Sequence, residues 1–284
     1  MRIAARAPNH LGDGVMALPA LHALARHGSL VVHAPRWGAE LYAEVDAHIL
    51  PRGRLHADVA VLFPPSLRAA LEARRCARRV GTPTDWRRWL LTDVVAARTH
   101  RRDTYAALAA AAGASATGAP TYGVRGGAAS VPSGHIGLNP LSNGGTSREW
   151  PLWDVLARAL TRAGHDVVFY GGPGEGERLQ TFASGFPRVV GTSLPDFAAT
   201  LERCAVFVSA DTGPAHFARA VGRPTVVVHT STSAERTGPA GAIGLEPVGL
   251  ACHPCERPTC PWDYACQRTP VDRVLDQVRR LEAA

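Results

Sequence analysis

Apolar residues along this chain fall into two patterns, short unbroken runs of three to six and longer stretches in which they return every third or fourth position. The apolar runs at 205–208 and 225–228, together with 59–63, 136–138, 167–170 and the strand-like segments 2–7 and 30–34, predict buried strands. Between them, 15–25 carries Val15, Leu18, Leu21 and Leu24 at helical spacing, and 67–74, 104–112, 153–163, 196–204 and 215–221 also read as helices. Residues 79–81 read as a short strand end, and 8–13 as a loop. Alternating strands and helices imply parallel sheets covered on both faces, with ligands at the carboxyl ends of the strands. From 113 to 132 the chain turns to Gly, Ala, Ser, Thr and Pro with little periodicity, which predicts a linker. That divides the chain into lobes 1–130 and 131–284 with a cleft between them.

The length of 284 residues suits two cores of ordinary size. With 46% hydrophobic and 19% charged residues the composition is that of a packed protein and argues against wholesale disorder. Basic residues exceed acidic ones by 31 to 24, a net charge of +7, and Arg far outnumbers Lys. This balance favours an acidic partner: a phosphorylated substrate, an anionic membrane surface or nucleic acid. The first residues run straight into polar Asn9 and His10 without a secretory core, and no apolar stretch is long enough to span a bilayer, so the chain reads as cytoplasmic.

The most informative segment is Asp211-Thr212-Gly213-Pro214-Ala215-His216, set where a buried strand hands over to a helix. Pro214 suits a first helical position and Gly213 lets a ligand approach the backbone, so free amides at this helix start could face an anion. A plain helix cap by Asp211 or Thr212 fits equally well. His216, one turn further on, is either a ligand-facing or a packed helix histidine.

Other candidates also have two readings. Asp13, in Leu11-Gly12-Asp13-Gly14, stands at the mouth of the first helix, where it could accept a proton from an attacking hydroxyl or cap the helix. The loop from Ser142 to Pro151 combines Gly, hydroxyls and Arg148, groups that suit a diphosphate because Arg grips phosphate oxygens bidentately; a surface loop is the alternative. Gly171-Gly172-Pro173-Gly174-Glu175-Gly176 follows a strand but lacks the G-x-G-x-x-G spacing of a dinucleotide loop; Glu175 could bind ribose hydroxyls or sit in a solvated turn. Cys252, Cys255, Cys260 and Cys266 fall within fifteen residues, a spacing that in a reducing compartment suggests a structural metal, with His253 as a spare ligand. Cys76 and Cys204 read as ordinary buried residues.

Taken in order, Leu11-Gly12-Asp13 with Pro19-Ala20-Leu21, Arg148-x-Trp150-Pro151, Gly171-Gly172-Pro173-Gly174-Glu175 and Asp211-Thr212-Gly213-Pro214-Ala215-His216 resemble the ADP-heptose:lipopolysaccharide heptosyltransferases, glycosyltransferase family 9, and most of all their heptosyltransferase II branch. Arg79-Val80-Gly81, the Arg-rich segment 86–91, and His100 followed by Tyr105 resemble that family's first lobe, and the Cys-rich tail has counterparts there.

The resemblance implies a GT-B architecture of two Rossmann-like doubly wound lobes, acceptor contacts mostly in the first, nucleotide-sugar contacts mostly in the second, and inversion at the anomeric carbon. It implies that Asp13 is the catalytic base and that Arg148, where the family usually has Lys, binds the donor diphosphate. Asp211, Thr212, Gly213, Pro214 and His216 match the donor-binding segment, and Glu175 lies near the ribose-binding carboxylate. Relatives usually carry a Gly before a Thr where this chain has Val228-His229-Thr230-Ser231-Thr232. The expected partners are ADP-heptose and a lipid-linked oligosaccharide acceptor, with peripheral contact at the inner membrane, no nucleic acid, no cofactor and no metal in the reaction. Alternatives are a related transferase using another nucleotide sugar or acceptor, and a basic nucleic-acid-binding protein organised by metal at the four cysteines, which lacks the aromatic and basic interleaving of such modules.

Overall fold

The computed structural model describes residues 1–125, 130–142, 146–182 and 184–283. The chain forms two compact units, Met1–Tyr122 and Gly123–Ala284, which part inside the Gly- and Ala-rich stretch.

The first unit is a six-stranded parallel sheet made of β1 (Arg2–Arg6), β2 (Ser29–Ala34), β3 (Ala47–Pro51), β4 (Val59–Leu62), β5 (Arg78–Gly81) and β6 (Asp93–Val94), in the order β3-β2-β1-β4-β5-β6. Its helices are α1 (Leu11–His27), α2 (Gly38–Leu41), α3 (Leu67–Glu72) and α4 (Arg101–Ala111). The second unit pairs β7 (His135–Asn139), β8 (Val167–Gly171), β9 (Arg188–Val190), β10 (Cys204–Ala210), β11 (Thr225–Val228) and β12 (Ile243–Leu245) in the order β12-β11-β10-β7-β8-β9. Around it lie α5 (Trp153–Arg162), α6 (Gly176–Gln180), α7 (Leu194–Glu202), α8 (Gly213–Ala220), α9 (Ala234–Thr237) and α10 (Val271–Glu282).

Counted within each unit, both sheets have the same doubly wound order, 3-2-1-4-5-6. The winding reverses between β1 and β4 in one unit and between β7 and β10 in the other. At such a point the loops diverge and leave a crevice outside the carboxyl ends of the strands.

The central strands are unbroken apolar runs because both faces are covered: every residue of β4, β7 and β11 is buried. In the second unit Trp150 and Trp153 are fully buried and meet edge to face at 5.1 Å. The Trp150 indole donates to the Thr269 carbonyl (2.9 Å), which fixes the chain just before α10 and lets Val274 and Val278 join the same core. Burial of an indole this size contributes about 3–5 kcal/mol by comparison with its truncation.

Two boundaries differ from the sequence reading. α1 begins at Leu11 rather than after Asp13, so Asp13 stands in its first turn and not in a loop. Cys204 opens β10 instead of closing α7, which ends at Glu202; its thiol is buried in the sheet.

Candidate active site

In the first unit α1 follows β1 at the reversal point. No side chain caps it: His10 holds the cap position with extended backbone, and Asp13 is three residues in. The capping reading of Asp13 is therefore replaced by a tertiary pairing. Arg101 Nη1 lies 2.9 and 3.1 Å from the two Asp13 oxygens, and the Asp13 side chain is only 13% exposed. Arg101 and Tyr105 are one turn apart on α4 and so share a face, and the Tyr105 phenol is close enough to Asp13 to feel its charge. Burial, reinforced by Asp13, pushes the Tyr105 phenol far above its ordinary pKa, so it remains a donor. Phe63, just beyond β4, packs edge to face on the Tyr105 ring at 5.3 Å and holds it in place.

Gly14 explains the glycine after Asp13. A Cβ there would lie 2.7 Å from the Trp37 ring and 2.9 Å from the Tyr42 hydroxyl. Both rings thus pack directly on the first turn of α1, as no larger residue would allow.

In the second unit the reversal point is organised by Asn139, at the end of β7. Its register partner on β10 is Ser209, and its amide donates to Ser209 Oγ (3.1 Å) and to Thr212 Oγ1 (3.0 Å). Thr212 occupies the cap position of α8, yet its hydroxyl is turned to Asn139 and the Ala210 carbonyl (3.3 Å), and makes no cap bond. Of the two readings of this segment, the one in which Asp211 or Thr212 caps the helix is set aside accordingly. The helix starts with Gly213 and Pro214, with the positive end of its dipole unscreened by any side-chain cap.

Asp211 is buried, and its carboxylate accepts from the Thr237 hydroxyl at 3.0 Å, which ties it to α9. His229 Nδ1 lies 3.8 Å away, beyond hydrogen-bond reach. Burial lowers the His229 pKa and outweighs the opposing pull of Asp211 and Glu246, so the ring is neutral and the contact is no ion pair. His216 is buried on α8.

Arg148 ends a 3₁₀ turn, Thr146–Arg148, in the loop after β7. Its Nε is buried with no hydrogen-bond partner, a costly state for a guanidinium unless an anion completes it. The turn is held from beneath: Thr230 Oγ1 donates to the Ser147 carbonyl (2.7 Å), Ser231 Oγ is 3.3 Å from Ser147 Oγ, and the Ser147 hydroxyl donates to the Arg257 carbonyl. Thr230 and Ser231 are thus internal supports of the Arg148 turn, and residues 229–232 are all buried. Asn143, Gly144 and Gly145 of the expected diphosphate loop lie outside the described residues.

Glu175 folds back on its own turn, accepting from the Gly172 amide at 2.6 Å, while Gly174 takes φ +81° as the turn requires. One carboxylate oxygen is therefore engaged locally. The Cys-rich segment meets the Arg148 turn as well: Gln267 donates to the Thr146 carbonyl (2.6 Å), Tyr264 and Thr146 hydroxyls are 3.2 Å apart, and the Ser147 amide donates to the Pro258 carbonyl (3.2 Å). The metal reading of Cys252, Cys255, Cys260 and Cys266 finds no ligand set. Among the described residues no three His, Cys, Asp or Glu side chains are placed to hold a metal ion, and all four thiols are unpaired. The segment is a strap over the turn.

Sequence reasoning missed Arg101, Asn139, and the Thr230 and Ser231 supports. Arg101 beside His100 and Tyr105 was within reach of helical spacing; Asn139, a buried polar residue closing an apolar strand, was the other available signal.

The family model described as "Glycosyltransferase family 9 (heptosyltransferase)" matches residues 54–263. The chain is similar to lipooligosaccharide heptosyltransferase 2 of Campylobacter jejuni, 24% identical over 166 residues, 51% of this chain and 50% of that protein. It is also similar to lipopolysaccharide heptosyltransferase 1 of Pseudomonas aeruginosa, 31% identical over 147 residues, 47% of this chain and 39% of the other. The alignments thus span about half or less of these curated relatives. In fold it matches the E. coli ADP-heptose LPS heptosyltransferase II structure with a TM-score of 0.79 at 21% identity, over 100% of this chain and 99% of that one. The two doubly wound units are those of the GT-B architecture.

Proposed function

The chain belongs to glycosyltransferase family 9, and from that premise we propose that it is an inverting, metal-independent transferase moving heptose from ADP-heptose to a hydroxyl of a lipid-linked lipopolysaccharide core oligosaccharide. Asp13 takes the proton of the acceptor hydroxyl as its oxygen bonds to the anomeric carbon. On the opposite face of that carbon the bond to the β-phosphate oxygen breaks, and ADP departs with the electron pair. One displacement gives one inversion. Arg101 orients the carboxylate.

The observation that carries the donor half is the uncapped start of α8 at the reversal point. Main-chain amides at a helix start stabilise the charge that grows on the departing diphosphate. Arg148, with its unsatisfied Nε, adds a guanidinium that grips phosphate oxygens. Together they supply the positive charge that a divalent metal would otherwise provide. Gly213 admits the phosphate to the backbone, Pro214 presets the helix, and Asp211, His216 and the free oxygen of Glu175 face the sugar and ribose hydroxyls.

The site of action is the cytoplasmic face of the inner membrane, with peripheral contact and no nucleic-acid partner. Among the described residues no helix is long and apolar enough to cross a membrane. Thermal-shift screening with ADP, UDP and GDP sugars tests the donor assignment. ADP-heptose is expected to stabilise the protein most; a stronger response to a UDP or GDP sugar replaces the donor while keeping the chemistry.

A further inference from the structure

The excess positive charge is confined to one unit. Met1–Tyr122 holds 16 Arg against 9 Asp and Glu, whereas the second unit balances 15 against 15. Within the first unit, exposed arginines follow each successive strand end from β2 to β6: Arg36, Arg52 and Arg54, Arg68, Arg88, and Arg98. They lie along the same sheet edge from which α1 carries Asp13.

On that edge the loop after β5 exposes two large aromatic rings, Trp86 at 91% and Trp89 at 74%. They border an open depression of about 780 Å³ that Arg88, Leu91 and the exposed Val94 also line. The loop is held rigidly for this display. Asp85 and Trp86 both adopt left-handed backbone, φ 53° and 55°, which is strained for residues other than glycine. Arg87 between the tryptophans turns inward and is fully buried, donating to the carbonyls of Thr82 (2.8 Å), Pro64 (2.6 Å) and Ser66 (3.1 Å) and to Thr82 Oγ1 (3.0 Å). The Asp85 carboxylate accepts from the Leu67 amide at 2.6 Å. Gly81 makes room, since a Cβ there would come within 2.9 Å of Leu91 and 3.2 Å of the Arg87 guanidinium.

A pinned, strained loop that keeps two indoles in water gains nothing for the stability of the unit. Trp is the side chain that settles at the headgroup level of a bilayer, and arginines around it add attraction to anionic lipid. We propose that the 85–91 loop is a membrane-insertion element that seats the first unit on an anionic lipid surface, so that a lipid-anchored acceptor arrives at the edge bearing Asp13. The inference rests on the transferase reading for the purpose of docking, but the docking itself is tested independently.

Cosedimentation with vesicles of phosphatidylcholine containing phosphatidylglycerol, against pure phosphatidylcholine, is the experiment. The parent chain is expected to bind the anionic vesicles only, with a blue-shifted Trp emission quenched by brominated lipid. Trp86→Ser/Trp89→Ser is expected to weaken that binding by about tenfold or more, a change of about 1.4 kcal/mol, with an unchanged circular dichroism spectrum. The same variant keeps its kcat/KM on a delipidated, soluble acceptor. Vesicle binding equal to the parent's overturns the proposal, as does loss of kcat/KM on the soluble acceptor, which makes the loop a glycan subsite. Vesicle binding without any heptose transfer leaves the docking standing and removes the transferase reading instead.

Discussion

Arg101 Nη1 sits between the two carboxylate oxygens of Asp13, 2.9 Å from one and 3.1 Å from the other, across 88 residues of sequence. The pairing fixes the rotation of the proposed base. Arg101→Gln is expected to lower kcat by about tenfold or more, because small misplacements of a reacting group are costly, while the Kd for ADP stays at the parent value. An unchanged kcat shows that Asp13 is oriented without Arg101.

Arg148→Ala is expected to weaken ADP binding by about 1.5–3 kcal/mol, the scale of a charge-assisted hydrogen bond. Isothermal titration with ADP reads this directly. Arg148→Lys restores the charge but not the fork, and recovers part of the loss. Binding of ADP to the alanine variant at parental strength removes Arg148 from the diphosphate site.

Asn139→Ala deprives two hydroxyls, on Ser209 and Thr212, of their shared donor inside the sheet. The expected cost is about 1–3 kcal/mol of stability. With the amide gone, Thr212 is free to turn and cap α8, which competes with the diphosphate. Denaturant titration measures the first effect and ADP affinity the second; a variant as stable as the parent contradicts this account of the reversal point.

His229 is fully buried, its Nε2 has no partner, and burial holds its pKa below the usual 6.5. An unfolded chain takes up a proton at His229 near that usual value while the folded chain resists, so the stability contributed by the neutral ring is complete above it and lost as pH falls through it. His135, lowered by burial as well, adds in the same direction. The melting temperature is expected to fall between about pH 7.5 and about pH 5.5, and His229→Gln to flatten that fall. An equally steep slope in the variant assigns the pH dependence elsewhere.

Central strands were legible because burial on both faces leaves an unbroken apolar run: the reading of 225–228 coincides with β11, and 205–208 lies within β10. Edge strands were not. β3 alternates intermediate and exposed positions over Ala-His-Ile-Leu-Pro, and β6 is only two residues long, so neither carries a run. The start of α1 was hidden by Gly12 and Gly14, poor helix formers, of which Gly14 is kept for close packing against Trp37 and Tyr42. Motif spelling pointed to Asp13, Arg148 and Asp211 to His216. What it could not supply was partnership, since Arg101 with Asp13 and Asn139 with Thr212 are pairings set by strand order. The same holds for the hydroxyl of Thr212, whose residue type says cap and whose neighbours say otherwise.

The most direct test of the central claim is transfer by the purified protein from ADP-heptose to a core oligosaccharide acceptor in the presence of EDTA, read by mass spectrometry and by NMR of the new anomeric centre. The expected result is one added heptose of inverted configuration, with Asp13→Asn slower by about a hundredfold or more at unchanged ADP affinity. Retained configuration, dependence on a divalent ion, or an Asp13→Asn variant as fast as the parent contradicts it.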